Sequence, residues 1–308
     1  MRTNNIKGSL ILILAALIWG LAFVAQSGAA DLVPTFTFNA LRSFIGAGAL
    51  YLFHLVVNRK AKTPFFPKEK KKKNTYIKAA LICGCCLAVS INFQQFGIAF
   101  YPKGAAVEAR SGFITALYVI LVPIFLIFVG KKLKLSVIFG VIIAIVGVYM
   151  LCFSGGIGGI YFADLLVFLC AISFSLHIMS LDKFVEFTGS VKLSIMQFLV
   201  AGFISLVLGI VFEFSQIEIG NILSVAPQIL YVGIMSSGVA YTLQIVGQKF
   251  AEPAVASISM SLESVFAALG GWLISGNNLS STELIGCALV FVAIIVAQLP
   301  QFKKPKKC

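Results

Sequence analysis

The sequence predicts an all-α membrane protein of ten transmembrane helices arranged as two inverted five-helix repeats. Composition is the first observation, because 59% of the 308 residues are hydrophobic, 11% are charged and the mean hydropathy is +1.01. A water-soluble globule of this composition would expose large apolar patches. The second observation is a series of apolar segments close to the roughly 20 residues that a spanning helix needs. The third is an internal echo between the two halves of the chain.

The predicted helices fill most of the chain. Their predicted limits are 8–26, 35–57, 79–99, 104–129, 135–153, 160–181, 193–212, 225–247, 253–274 and 284–299. The apolar runs are long and unbroken, unlike the short segments of alternating hydrophobicity in a membrane β-barrel. We therefore expect helices, whose internal hydrogen bonds satisfy the backbone in lipid. The first segment also resembles a secretory signal, because Arg2 and Lys7 precede its apolar run. Its length and its counterpart at 160–181 favour a retained span.

The internal echo relates 90–151 to 239–299. In order, the first copy has Gln95, Ala105, Gly130, Leu133 and Gly140, and the second has Gln244, Ala254, Gly276, Leu279 and Gly286. Chance recurrence of glycine in apolar helices is the alternative explanation. Because each half holds an odd number of predicted spans, the second copy would be inverted in the bilayer. We therefore predict repeats at 1–153 and 154–308, with a basic loop at 58–78 in the first and a basic tail on the second.

Lysine and arginine fall mainly on one side of this arrangement. The net charge is +13, and the densest run is Lys68-Glu69-Lys70-Lys71-Lys72-Lys73. The positive-inside rule therefore predicts that both termini are cytoplasmic. The run can meet anionic headgroups, so membrane lipids are expected partners and nucleic acid is not.

The seven cysteines and two histidines lack a metal-binding or disulfide pattern. Cys83-Gly84-Cys85-Cys86 has no second ligand pair at zinc-ribbon spacing, so small buried side chains are the favoured interpretation. We expect no metal, no cofactor and no structural disulfide. His177 lies near the inner end of its predicted helix, where interfacial exposure is favoured over a ligand role.

Polar side chains within the predicted spans are the candidates for function, because a charge at the bilayer centre costs about 2.5 to 3.5 kcal/mol on insertion scales. Arg42, Glu108 and Arg110 are predicted in the outer third. There Glu108 is expected to meet Arg42 in at least one state, with Arg110 as the alternative partner. Glu263 lies roughly 15 Å along its helix, near the midplane. A carboxyl at that depth is either a proton carrier or a packing residue hydrogen-bonded to helix backbone or serine side chains.

Five stretches of the chain resemble the EamA-like branch of the drug/metabolite transporter superfamily. They are Ala16-Leu17-Ile18-Trp19-Gly20, Phe38-Asn39-Ala40-Leu41-Arg42, Gln94-Gln95-Phe96-Gly97, Ser111-Gly112-Phe113-Ile114-Thr115-Ala116-Leu117-Tyr118-Val119 with Val122-Pro123, and Ser261-Leu262-Glu263-Ser264-Val265-Phe266-Ala267-Ala268. The resemblance implies a bacterial inner-membrane exporter or facilitator. It also implies a central cavity lined by helices one to four and six to nine. Family members often have Gly-Glu where this chain has Gly276-Asn277.

The resemblance and the echo together suggest site residues. The expected substrate-binding residues are Trp19, Asn39, Arg42, Gln95, Tyr118, Tyr241 and Gln244, and the expected coupling or gating residues are Glu108, Arg110 and Glu263. Packing is the alternative role for Trp19, and helix-to-helix hydrogen bonding is the alternative for the two glutamines.

Three classes of function are compatible with the sequence. The favoured class is a secondary transporter of small metabolites or drug-like solutes that works by alternating access, with or without proton coupling. Its partners are a small-molecule substrate and membrane lipids, and a homo-oligomer is compatible with the sequence. A non-transporting receptor or assembly factor is the alternative. An intramembrane enzyme is less favoured, because the chain has no His-Glu-x-x-His motif and neither histidine lies near a nucleophile-elbow serine.

Overall fold

The computed structural model describes residues 5–58, 64–102, 107–153, 161–275 and 280–299, and every regular element in these ranges is helical. The α-helices are α1 (Asn5–Ala30), α2 (Thr35–Asn58), α3 (Lys70–Phe100), α4 (Val107–Ala116), α5 (Tyr118–Phe128), α6 (Leu135–Phe153), α7 (Phe162–Phe184), α8 (Ser190–Phe212), α9 (Ile219–Ser224), α10 (Ala226–Leu230), α11 (Tyr241–Gln248), α12 (Pro253–Met260), α13 (Leu262–Ser275) and α14 (Ser281–Gln298). A 3₁₀ turn covers Phe214–Gln216, and a π-helix covers Tyr231–Ala240. The all-helical prediction is confirmed.

Eight helical segments in the described ranges are long and apolar enough to cross a membrane. They include α4 with α5, α10 to α11 through the π-helix, and α12 with α13, each counted as one continuous segment. Two shorter apolar helices, Leu135–Met150 and Leu284–Ala297, lie at the remaining predicted positions. The helix α3 begins at Lys70 rather than at 79, because lysine is a good helix former and the extra turns need no burial.

Two predicted spans are interrupted near their middle. A turn at Leu117 separates α4 from α5, and a turn at Ser261 separates α12 from α13. At the first break the Leu117 N–H bonds to the carbonyl of Ile114 at 3.2 Å, three residues back. At the second break the Ser261 hydroxyl donates to the carbonyl of Ile258 at 2.8 Å. Serine hydroxyls that bond to helix carbonyls compete with the regular ladder, which accounts for the second interruption.

The first half of the chain packs on the second along its whole length. The helix pairs across this seam include α1 with α13, α3 with α7, α2 with α8, and α6 with α14. Glycine allows the last pair to approach closely. A Cβ atom at Gly147 would stand 2.9 Å from the carbonyl oxygen of Gly286, and one at Gly140 would stand 2.9 Å from Cβ of Ala297. Small residues at such contacts let helix backbones meet in a membrane.

Candidate functional site

A central cavity lies where the two halves meet. Its lining residues are Trp19, Phe23, Gln26, Arg42, Gln94, Thr115, Tyr118, Phe174, Ile178, Ser236, Tyr241, Gln244, Met260 and Glu263. They come from both halves, and none of them belongs to α6 or α14. The cavity volume is about 30 Å³, which is about the volume that one water molecule occupies in liquid water. Pockets for drug-sized ligands measure roughly 300 to 1,000 Å³. The cavity is therefore too small for such a ligand in this structure.

Arg42 brings a positive charge to the cavity from α2. Its side chain is 1% exposed, and Nη1 donates to Oε1 of Gln26 at 2.7 Å. It also lies close to the Tyr241 hydroxyl, whereas its Nε atom has no hydrogen-bond partner among the described residues. A buried guanidinium normally needs all of its donors satisfied. Arg42 therefore brings to the cavity wall a guanidinium with one unpartnered donor.

Glu263 lines the same cavity from the first turn of α13. The carboxyl is 4% exposed and lies beside the hydroxyl of Tyr118, the first residue of α5. Each interrupted span therefore presents the start of its second helix to the cavity. Helix N-termini favour negative charge, and Oε1 of Glu263 lacks a hydrogen-bond partner in the described part of the chain. Arg42 and Glu263, which were predicted at different depths, line one cavity in the structure.

Aromatic rings form one wall of the cavity around Tyr241. The ring centroids of Trp19 and Tyr241 lie 4.8 Å apart in an edge-to-face arrangement, and Phe198 and Phe174 lie 5.1 and 6.4 Å from Tyr241. The indole Nε1 of Trp19 is buried without a hydrogen-bond partner in the described ranges. Buried indole N–H groups usually find a partner. Trp19 therefore packs in the wall and carries an unpartnered donor.

The predicted amide residues separate into two groups. Gln244 lines the cavity, and its Oε1 atom has no hydrogen-bond partner among the residues described. Gln95 is fully buried outside the lining and donates to the backbone oxygen of Gln26 at 3.4 Å. Asn39 donates to the carbonyl of Ile91 at 3.0 Å and to Oδ1 of Asn92 at 2.9 Å. Asn39 and Gln95 therefore tie helices together, and neither lines the cavity in this structure.

Sequence reasoning left several lining residues out of the predicted site. Gln94 lines the cavity in place of its neighbour Gln95 and donates to Oγ1 of Thr115 at 3.3 Å. Gln26 also lines the cavity. It is an amide in an otherwise apolar stretch of α1, and such a residue within a span is itself a signal of function. For Phe174 and Met260, no sequence signal separates a lining residue from an ordinary packing residue.

The expectation that His177 is exposed at the membrane interface is wrong. Its side chain is fully buried, and its Nε2 atom shares a hydrogen bond of 3.0 Å with Oε1 of Gln197. Its ring centroid lies 6.1 Å from that of Tyr241. A partner from α8 satisfies one ring nitrogen, and buried polar groups are retained where such partners exist. His177 therefore lies directly behind the aromatic wall.

At one end of the molecule, an ion pair joins the first turns of α4 and α7. Arg110 Nη2 lies 2.7 Å from Asp164 Oδ2, and the Tyr101 hydroxyl donates to Oδ1 at 2.7 Å. The guanidinium also lies 4.6 Å from the ring centroid of Tyr161. Burial raises the pKa of the Tyr101 hydroxyl, which therefore stays protonated and remains a donor. The acidic neighbour of Arg110 is thus Asp164, across the seam between the halves.

Glu108 has a different neighbour from the one expected. Its carboxylate accepts a hydrogen bond from the hydroxyl of Ser27, while Arg42 is held by Gln26. The expected approach of Arg42 to Glu108 is absent from this conformation of the described residues. We predicted this contact for at least one conformational state, so its formation in a state other than this one stays a prediction.

At the opposite end, two further ion pairs join the halves. Lys131 Nζ lies 3.3 Å from Asp182 Oδ2, and Lys134 Nζ lies 3.1 Å from Glu252 Oε1. The segment Val107–Phe128 has 22 residues, which corresponds to about 33 Å of helix. The Arg110–Asp164 pair and the Lys131–Asp182 pair therefore join the same two segments at their two ends.

Comparison with known proteins decides the family. The family model described as the EamA-like transporter family matches residues 6–153 and 161–298. The chain belongs to this family. A curated relative from Archaeoglobus fulgidus, described as an uncharacterized transporter, is 28% identical over 297 residues, which cover 96% of this chain and 87% of the relative. The EamA-like protein is thus a multi-pass membrane protein of a transporter family, and the resemblance found in the sequence is confirmed.

A solved crystal structure has the same fold as this EamA-like protein. It superposes with a TM-score of 0.75 at 21% sequence identity, and the match covers 97% of this chain and 99% of the other. At that identity the similarity shows the fold alone. Gly276-Asn277, the departure from the family pattern, lies outside the described residues.

Proposed function

We propose that this EamA-like protein is a secondary transporter that moves a small amphipathic solute across the membrane by alternating access, without chemical change to the solute. The observation that carries the proposal is the buried cavity between the two halves, which holds Arg42, Glu263, amides and aromatic rings. Polar groups that are buried in a membrane protein without partners normally serve a substrate or ion pathway. Several atoms of this cavity meet that description.

The proposed cycle opens the cavity to one side at a time. A volume of about 30 Å³ cannot hold a metabolite, so binding requires the halves to separate at one end. Ion pairs between the halves at both ends are suitable locks for such a movement. The proposal includes ten spans, with the two shorter helices as the fifth and tenth. It also includes inverted repeats at 1–153 and 154–308, a bacterial inner membrane and cytoplasmic termini.

The proposed substrate carries hydrogen-bonding groups next to an apolar or aromatic portion. Arg42 offers a spare donor, Gln244 and Glu263 offer acceptors, and the rings of Trp19 and Tyr241 offer a flat apolar wall. Amino acids, nucleobases and drug-like solutes share this chemistry.

Uptake into proteoliposomes tests the proposal. Purified protein is offered a panel of radiolabelled amino acids, nucleobases and drug-like solutes, and counterflow is measured for any that accumulates. For an accepted solute, Arg42→Gln should lower transport roughly 10- to 100-fold, because a hydrogen bond to a charged group is lost. Glu218→Gln changes an exposed carboxylate that bonds to Asn221 and serves as the control. Transport of no solute, or equal loss in both variants, would count against the proposal.

A second measurement addresses proton coupling through Glu263. If the carboxyl binds a proton on one side and releases it on the other, Glu263→Gln imitates the protonated form. The variant should keep counterflow exchange and lose acceleration by a pH gradient. A wild-type rate that ignores the gradient would make the protein a facilitator and Glu263 a packing residue.

Reporter fusions test the proposed orientation. Alkaline phosphatase fused after Lys307 should be inactive, because a cytoplasmic C-terminus keeps it reduced. The same reporter placed at Asp31, between α1 and α2, should be active. Activity at the C-terminal fusion would overturn the orientation.

A further inference from the structure

An apolar groove on the outer surface lies away from the central cavity. It has a volume of about 520 Å³ and lies between α2, α3 and α8. Its walls include Tyr51, Phe65, Phe66, Leu81, Ile195 and Leu199. Leu81 and Leu199 are 51% and 46% exposed, so the groove opens outward along the helices. In a membrane protein such a surface faces lipid chains.

Two lysines stand at one end of this groove. Lys73 Nζ lies 5.8 Å from the ring centroid of Phe66, and Lys192 Nζ lies 5.8 Å from that of Phe65. Lys192 also donates to the carbonyl oxygen of Pro64 at 2.7 Å. An ammonium group has three donors, so the bond to Pro64 leaves Lys192 further donors for an anion. The ring contacts hold both charges at the rim of the apolar surface.

Along α3 and α8 the apolar wall of the groove begins about one turn beyond each lysine, at Ile77 and Ile195, and continues to Leu81 and Leu199. Both lysines lie in the first turns of their helices, α3 and α8. Leu81 follows Lys73 by two helical turns, and Leu199 follows Lys192 by about two turns as well, roughly 11 to 12 Å in each case. Two lysines at one end of an apolar groove of this length are complementary to a phosphate joined to an acyl chain.

We propose that this groove binds one anionic phospholipid, with its phosphate between Lys73 and Lys192 and an acyl chain against Leu81 and Leu199. Aromatic contacts organise the site: the centroids of Phe65 and Phe66 lie 5.1 Å apart, and Phe65 lies 5.6 Å from the ring of His54. A lipid here would link the segment Pro64–Phe66 to α8 and α3. The site is independent of which solute the central cavity carries.

Native mass spectrometry of the full chain tests the site, with dioleoyl phosphatidylglycerol and dioleoyl phosphatidylcholine as the added lipids. The wild type should retain phosphatidylglycerol in preference to phosphatidylcholine. In Lys73→Gln/Lys192→Gln the occupancy of phosphatidylglycerol should fall roughly tenfold, because two basic residues near the phosphate are lost. Glutamine retains an N–H donor for the carbonyl of Pro64, which Lys192 bonds in the wild type.

Matched variants separate a site from general charge attraction. Lys70→Gln/Lys71→Gln also removes two positive charges, both from the start of α3, at residues that do not line the groove, and it should retain the preference for phosphatidylglycerol. Leu199→Trp fills the groove without changing charge and should lower occupancy by both lipids. The proposal is overturned by equal losses in the two double-lysine variants, by no preference between the lipids, or by unchanged occupancy in Leu199→Trp. Displacement of the lipid by glycerol phosphate alone would also overturn it, since the acyl chain would then contribute nothing.

Discussion

The two ends of the molecule close the same seam by different means. At one end, the side chains of Arg110 and Asp164 are 12% and 13% exposed and are enclosed by Tyr101 and Tyr161. At the other end, Lys131 is 56% exposed, and Lys134 and Glu252 are 24% and 35% exposed. The first end is an enclosed, hydrogen-bonded ion pair. The second is a pair of solvent-accessible contacts.

This difference predicts that the two ends resist opening to different extents. Solvent and salt screen exposed ion pairs, whose typical contribution is about 0 to 1 kcal/mol. Enclosed pairs are screened less, and breaking one leaves a partly desolvated charge. If the protein alternates its access, the end with the enclosed pair resists opening more, and its disruption should shift the conformational balance further.

The largest effect is expected from Asp164→Asn. The change removes the carboxylate that pairs with Arg110, at a cost to the closed end of about 2 kcal/mol, equivalent to about a 30-fold shift in equilibrium. Cys170 is fully buried on α7 next to Thr115, which lines the cavity, so labelling of its thiol requires an opening. In a variant whose other six cysteines are replaced by alanine, Asp164→Asn should accelerate labelling of Cys170 by a membrane-impermeant maleimide.

Labelling from the two sides separates the ends. In the proposed orientation, the acceleration should occur with reagent outside the cell and be absent with reagent confined to the cytoplasmic side. Glu218→Gln in the same background is the control for a lost carboxylate. Equal acceleration from both sides would mean that the substitution loosens the whole fold rather than one end.

A smaller effect is expected from Arg110→Lys. Lysine keeps the charge, but it loses the planar group that bonds Asp164 through two nitrogens and lies over the ring of Tyr161. Arginine and lysine are not equivalent at such a stacked, forked contact. Labelling of Cys170 should rise roughly 5- to 10-fold. A rate equal to that of the wild type would show that charge alone holds this end.

Tyr101→Phe should have a smaller effect still. It removes one hydrogen bond to Asp164 and leaves the ion pair in place. A single such bond contributes about 1 kcal/mol, or about a fivefold change in labelling. Because burial raises the pKa of the Tyr101 hydroxyl, the wild-type bond should persist into alkaline solution. The difference between the two proteins should therefore be constant from pH 6 to about pH 9.

Apolar runs and their spacing were sufficient to predict the helical fold, but the two interruptions were not predictable. Neither Leu117 nor Ser261 is a proline or glycine, and each lies inside a stretch that is apolar enough overall to be read as one span. Pro123, the residue that the sequence marks as a helix breaker, lies inside α5. A break that depends on local hydrogen bonds within a packed bundle leaves little trace in hydropathy.

Site residues were predictable where they belong to a sequence motif. They were not predictable where their role depends on a contact with a neighbouring helix. Trp19, Arg42, Tyr118 and Glu263 come from the motifs and line the cavity. Adjacent helical residues point about 100° apart, so the motif that contains both Gln94 and Gln95 could not decide which one faces inward. Asp164 lies 54 residues from Arg110, and no spacing rule connects them.

The smallest effect is expected at the exposed end. Glu252→Gln removes the partner of Lys134, and the resulting change in Cys170 labelling from the cytoplasmic side should be about twofold at low salt. Above roughly 0.5 M salt the difference should vanish, because the Debye length falls below about 5 Å. The Asp164→Asn effect should persist at the same ionic strength, since its pair is enclosed. A Glu252→Gln effect that is large and insensitive to salt would show that the ion pairs hold both ends closed equally strongly. Any difference in opening between the two ends would then have to come from other contacts in the fold.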